Sequence, residues 1–262
     1  MIRILAVIGS PRKGETYQAV VNFTEELKKT EEVNVEYVML ANEGLSDCAG
    51  CHNCFMKGRE YCKESGKVKE LQDKMLAADA VILASPVYNQ SVTALMKKFL
   101  DYFTFLWHRP ELFGVKFFGI SSGGGVFKEV FKLLRMNVES WGGTWLGEHG
   151  IPHYEALKPK YRLKCDRDIQ KKAGLFLGGI RDNRPQRPSI GRLMMFNIWR
   201  MNAKACKDSI PPDYTYWAEK QLLDKDYYYP VRISIFKRIA VACIVGMAKS
   251  MMKKIYVGYD EV

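Results

Sequence analysis

The stretch Arg3-Ile4-Leu5-Ala6-Val7-Ile8-Gly9-Ser10-Pro11-Arg12-Lys13-Gly14-Glu15-Thr16 decides how this chain is read. The run from Ile4 to Ile8 is apolar without a break, the pattern of a strand covered on both faces. A Gly/Pro loop follows, and Thr16 opens a helix with apolar positions Val20, Val21, Phe23 and Leu27. The same alternation continues. Strands are expected over 33–39, 81–84, 115–120 and 144–151, and helices over 68–76, 92–106, 126–140 and 166–180. A cysteine-bearing loop is expected over 41–66. Such alternation predicts an α/β three-layer doubly wound domain around a parallel five-stranded sheet. Ligands of such sheets bind beyond the carboxyl ends of the strands. The loops at 9–16, 85–91 and 121–125 are therefore expected to converge on one site.

Composition narrows the class. Of 262 residues, 47% are hydrophobic and 26% charged, which excludes disordered and collagen-like chains. No apolar run reaches the ~18 residues of a transmembrane helix. The run Ile4–Ile8 is too short for a signal peptide. A cytoplasmic protein is the expectation. The net charge is +11, and it is unevenly placed. Residues 1–182 hold 26 basic and 22 acidic residues, whereas 183–262 hold 14 and 7. With the break at Arg181-Asp182-Asn183-Arg184-Pro185-Gln186-Arg187-Pro188, this predicts a domain over 1–182 and a mainly helical extension over 183–262.

The first loop joins a strand to a helix N-terminus, where exposed N–H groups and the helix dipole favour an anion. Ser10 and Thr16 add hydroxyls, and Arg12 adds a planar charged fork. The spacing matches neither a Walker A loop nor a three-glycine dinucleotide fingerprint. In the second loop, Ser85-Pro86-Val87-Tyr88-Asn89-Gln90-Ser91, Pro86 stiffens the turn. Tyr88 offers a flat face and Asn89 both a donor and an acceptor. The plain alternative is a tight turn with Ser91 capping the next helix. The third loop, Ser121-Ser122-Gly123-Gly124-Gly125, lets backbone approach a ligand closely.

These loops, with the helix Leu95-Met96-Lys97-Lys98-Phe99-Leu100-Asp101, resemble the flavodoxin-like NAD(P)H-dependent FMN reductases over roughly residues 1–180. The resemblance implies a flavodoxin-like fold, FMN as cofactor and NAD(P)H as transient donor. It implies that Ser10, Arg12, Thr16 and Tyr17 hold the FMN phosphate. Pro86, Val87, Tyr88 and Asn89 would line the isoalloxazine, and Ser121, Ser122, Gly123, Gly124 and Gly125 would flank it. One departure stands out. Glu15 occupies a place where the family usually carries Asn, and a carboxylate there is repelled by a phosphate unless it turns outward.

Cys48, Cys51, Cys54 and Cys62 form C-x2-C-x2-C followed by a fourth thiol after seven residues. Closely spaced thiolates in a turning loop can wrap one iron–sulfur cubane. The pattern resembles the compact motif of iron-sulfur flavoproteins, a branch of the same family, in which a 4Fe-4S centre relays electrons to or from FMN. Zinc and metal-free thiols are the other two readings. Cys165, Cys206 and Cys243 read as small buried hydrophobes.

The extension holds six of the twelve methionines, with apolar helices expected over 190–201 and 236–249. Helices packed on the domain or on a second subunit are the plain reading, so a homo-oligomer is expected. Peripheral membrane contact is the alternative, because Lys237, Arg238, Lys249, Lys253 and Lys254 flank the last helix. No recognition motif points to nucleic acid. The function expected is an FMN-dependent oxidoreductase with a small-molecule or protein electron acceptor. The competing expectation is a non-enzymatic electron carrier that docks a partner through its basic tail.

Overall fold

A computed structural model describes residues 1–182 and 184–259. Asn183 of the expected linker and residues 260–262 of the expected extension lie outside that range. Five strands form one parallel sheet: β1 (Ile2–Ile8), β2 (Val33–Met39), β3 (Ala80–Ala84), β4 (Lys116–Gly123) and β5 (Thr144–Pro152), in the order β2-β1-β3-β4-β5. The helices are α1 (Glu15–Lys28), α2 (Asn53–Met56), α3 (Ser65–Ala77), α4 (Ala94–Tyr102), α5 (Phe127–Ser140), α6 (Pro159–Arg181), α7 (Ile190–Ala205), α8 (Pro211–Glu219) and α9 (Ile235–Ile255).

The described chain divides into two compact units. The first comprises Met1–Ala49, Gly66–Thr104 and Glu111–Asn183, and the second Gly50–Ser65, Phe105–Pro110 and Arg184–Val262. In the first unit, β1 and β3 are buried along nearly their whole length, as two-sided cover requires. Ile4, Ala6 and Ile8 point to one face, where α1 and α6 supply Val20, Phe23, Leu27, Phe176 and Leu177. Phe23 stacks on Phe118 of β4 at 4.6 Å and meets Phe176 at 5.8 Å. On the opposite face, Phe99 and Phe103 lie 6.1 and 5.6 Å from Trp141. A Cβ on Gly119 would press against Phe131 of α5 on that side.

The expected helix over 92–106 is shorter and breaks in two. Thr93, not Ser91, caps α4 by accepting the N–H of Met96, and Thr104–Trp107 forms a separate 3-10 turn. Helix α6 starts at Pro159, earlier than the apolar spacing suggests, because proline suits a first helical turn.

The second unit has its own core of Leu193, Phe196, Ala203, Tyr216, Trp217, Leu222, Tyr227 and Val241. Phe196 is the hub: Trp217 lies 5.2 Å away, Tyr227 5.5 Å and Tyr228 4.7 Å. Trp217 donates its indole N–H to the His108 carbonyl, and Tyr216 its hydroxyl to that of Pro110.

Candidate functional site

The order β2-β1-β3-β4-β5 makes β1 a switch point, with the chain crossing to opposite sides after β2. The first two loops singled out in the sequence leave the carboxyl ends of β1 and β3; the third, expected over 121–125, is shorter, because Ser121, Ser122 and Gly123 still pair with β5 as the end of β4 and only Gly124 and Gly125 leave it. Gly9 donates its N–H to Ala84, Ser85 to Ile120, and Val87 to Ser122, which laces the loops together. A Cβ on Gly9 would stand 2.7 Å from the Met96 Cβ, so only glycine lets α4 approach β1 here. Thr93 completes the lacing. Its hydroxyl donates to the Gly9 carbonyl at 2.5 Å, and its N–H donates to Ser85 Oγ at 3.1 Å. Thr93 went unremarked in the sequence, although a Thr three residues before Met96 is an N-cap signal.

Each expected ligand residue has a definite place. Ser10 is buried, and its hydroxyl donates to the Arg12 carbonyl at 2.7 Å, which braces the turn. Arg12 is exposed on that turn. Thr16 Oγ1 lies 2.6 Å from Ser122 Oγ, so the start of α1 is joined to the third loop. Tyr17 is half-buried against Tyr37, with Lys13 Nζ 5.3 Å above its ring. Helix α1 begins at Glu15, and Gly14 at its N-cap provides no side-chain cap. Its first N–H groups are thus left to an outside acceptor. Glu15 Oε2 lies 2.9 Å from His153 Nδ1, just past the end of β5, and His153 in turn stands beside Gly124. The Glu15–His153 contact spans 138 residues and no local pattern announces it.

In the second loop, Tyr88 and Ser91 exchange backbone hydrogen bonds of 2.9 Å around Asn89 and Gln90. Both of those residues have positive φ, 46° and 61°, as a type I′ turn demands. Pro86 and Val87 are half-buried and Tyr88 is 49% exposed. In the third loop, Gly123 has φ +150° and its Cβ position would sit 3.2 Å from the Val87 Cβ. Gly124 and Gly125 follow, and Val126 takes φ +60° as it enters α5, a costly geometry for a β-branched residue. Ser121 Oγ is fully buried and has no hydrogen-bond partner among the described residues.

The cysteine loop is different in character. Cys48 and Cys51 are exposed and Cys54 and Cys62 half-buried, and none of the seven cysteines is in a disulfide; Cys165, Cys206 and Cys243 are not the buried hydrophobes expected, since the first two are half-buried and Cys243 is exposed on α9. Among the described residues, no group of three or more His, Cys, Asp or Glu stands ready to hold a metal ion. The loop is otherwise well anchored. Its short helix α2 and the turn Arg59–Tyr61 were not expected from sequence. Arg109 donates to the Cys54 carbonyl, and the His108 ring stands between Phe55 at 4.6 Å and Trp199 at 3.9 Å.

The profile of the NADPH-dependent FMN reductases matches residues 2–136, which carry all three loops. The chain belongs to the NADPH-dependent FMN reductase family. An iron-sulfur flavoprotein of Archaeoglobus fulgidus is 33% identical over 194 residues, covering 64% of this chain and 87% of that protein. An iron-sulfur flavoprotein of Methanosarcina thermophila is 30% identical over 100 residues, 38% of this chain and 51% of that one, so there the alignment spans about half the relative. An FMN-dependent NADPH-azoreductase of Staphylococcus aureus is 28% identical over 184 residues, with 67% and 92% covered. Among solved structures, an azoreductase of Bacillus anthracis superposes with a TM-score of 0.53 at 17% identity, covering 67% of this chain and 99% of that one. At that identity the likeness shows the fold, which is flavodoxin-like. Among the described residues, no helix is long and apolar enough to cross a membrane.

The donor set fits the cofactor of this family. The uncapped start of α1 and Arg12 on the preceding turn favour a phosphate, and the Glu15 carboxylate is engaged by His153. Ser121 supplies a buried hydroxyl still lacking a partner, and the glycines of the third loop leave room for a ring.

Proposed function

We propose that this chain is an FMN-dependent oxidoreductase that draws electrons from NAD(P)H and delivers them to a small-molecule or protein acceptor. The observation that carries the proposal is the family match over residues 2–136, the segment that holds the three laced loops. FMN, when bound, supplies the two-electron redox chemistry, and the protein supplies binding and orientation. Arg12 and the N–H groups at the start of α1 hold the phosphate, with Ser10 bracing the turn and Thr16 tying it to Ser122. Pro86 to Asn89 line one side of the ring system. Ser121 to Gly125 flank it from the third loop. The acceptor side stays open through the exposed Tyr88 turn.

Arg12→Ala should weaken FMN by about 1.5–3 kcal/mol, the scale of a charged hydrogen bond. Titration of the apoprotein by flavin fluorescence measures it, and unchanged affinity would put the phosphate elsewhere. Steady NAD(P)H oxidation by the pure holoprotein distinguishes the enzyme from a carrier reduced only through a partner.

The finer reading adds a 4Fe-4S centre on Cys48, Cys51, Cys54 and Cys62. Its support is the spacing of the thiols and the iron-sulfur flavoproteins among the relatives. The thiols must draw together when iron arrives, since no ready group of three exists among the described residues. Anaerobic reconstitution with iron and sulfide should then protect all four thiols from alkylation, and Cys51→Ser should lose that protection while keeping FMN. Full flavin with four alkylatable thiols after reconstitution would leave a plain FMN reductase. The same reading assigns flavin binding to 1–182, a separate role to the 183–262 extension, a homo-oligomeric state and a cytoplasmic setting.

A further inference from the structure

Helix α9 is 21 residues long, about 30 Å, and it is apolar on two sides. One side faces its own unit through Val241 and Val245. The other faces outward: Ile235 is 62% exposed, Phe236 80%, Ile239 57% and Met247 67%. Ile235, Ile239, Cys243 and Met247 follow at four-residue intervals, so with Phe236 and the exposed Ala242 and Gly246 they make one ridge. Single exposed apolar side chains are ordinary on a protein surface; a continuous ridge of this length is not.

The charge around the ridge decides what covers it. Helix α9 itself holds five basic residues and no acidic one, with Asp226 before it and Asp260 and Glu261 after it in the sequence. Arg238 is met by Asp226 at 2.8 Å, and Lys237 donates to the Pro188 carbonyl. Exposed Lys253 and Lys254 close the C-terminal end of the ridge, and half-buried Lys249 flanks it. A second copy of this chain would bring the same positive charges against these, which is unfavourable. A convex apolar ridge one helix wide, edged with lysine, suits the boundary between acyl chains and anionic headgroups. The helix is not long and apolar enough to cross a bilayer, so it lies in the surface plane. We propose that α9 is an in-plane docking helix for an anionic lipid surface, a role independent of the flavin site.

The test uses the full-length holoprotein and vesicles of phosphatidylglycerol and phosphatidylcholine, against vesicles of phosphatidylcholine alone. Flotation should recover the protein with the anionic vesicles, with recovery falling as salt is raised. Ile239→Glu combined with Met247→Glu, both at outward positions, should cut partitioning by about tenfold or more, and Lys253→Glu with Lys254→Glu should do the same. Flavin absorbance and far-ultraviolet circular dichroism verify that each variant is folded. Absence of vesicle binding, equal binding to neutral vesicles, or folded variants that bind as well as the parent would overturn the proposal. Sedimentation velocity supplies the remaining arm. If Ile239→Glu/Met247→Glu splits a larger assembly, the ridge belongs to a second copy instead.

Discussion

His149, on β5, is 1% exposed, and its Nδ1 lies 3.0 Å from Asp168 Oδ2 with Lys172 Nζ at 3.4 Å. Nε2 is buried with no hydrogen-bond partner among the described residues. Burial, then the positive charge of Lys172, push its pKa down to about 4, against the partial support of Asp168. The unfolded chain binds a proton near 6.5 that the folded chain refuses. The stabilisation from a neutral His149 is therefore complete above about pH 6.5 and lost as pH falls through about 4, a span of about 3 kcal/mol. Urea denaturation from pH 7.5 to 4 should show that slope, and His149→Gln should flatten it; an unchanged slope would show that other groups carry it. At this scale the sequence was legible where chemistry is local. The turn at Asn89 and Gln90 follows from a short motif. The Glu15–His153 and Thr16–Ser122 contacts join residues more than a hundred positions apart, and nothing in either neighbourhood signals them.

Among the helices longer than one turn, α8 was the one missed outright; it opens on Pro211 and Pro212, and a proline suits the first turn of a helix. What α8 carries is a buried carboxylate. Asp213 is 5% exposed, with Oδ2 2.5 Å from His108 Nδ1 and Oδ1 paired to Arg109 Nε at 3.1 Å. Arg109 in turn donates to the Cys54 carbonyl, so α8, the segment 105–110 and α2 of the cysteine loop share one polar cluster inside an aromatic shell. Asp213→Ala strands Arg109 without this counter-charge, and loss of one partner of a buried pair costs about 3–5 kcal/mol. Denaturant unfolding followed by tryptophan fluorescence should register that loss, and limited proteolysis should open the cysteine loop first. Adding Arg109→Met should restore part of the stability, because an uncharged side chain needs no partner. A double variant no better than Asp213→Ala would show that the carboxylate serves packing and not charge balance.

On the scale of the whole chain, the strand–helix alternation was readable because β1 and β3 are apolar along nearly their whole length, β2 alternates apolar and polar residues, and the helices repeat near every 3.6 residues. The gathering of residues 50–65 and 105–110 with 184–262 into one unit was not readable, since it rests on Arg109, His108 and Trp217, which meet only in three dimensions. This organisation predicts how the protein melts. Each unit has its own core, one around Phe23, Phe118 and Phe176 and the other around Phe196 and Trp217. All three stretches proposed to hold the flavin belong to the first unit. A ligand that binds only the folded state stabilises it by RT ln(1 + [L]/Kd), about 2.7 kcal/mol at a hundredfold excess over Kd. Calorimetry of the apoprotein should resolve two transitions, as chains with separate cores often do. Added FMN should raise the transition of the first unit and leave the other in place, while Asp213→Ala should lower only the second. A single transition moved by both FMN and Asp213→Ala would mean that the two cores unfold as one, and the flavin would then report on the cysteine loop and on α9 as well.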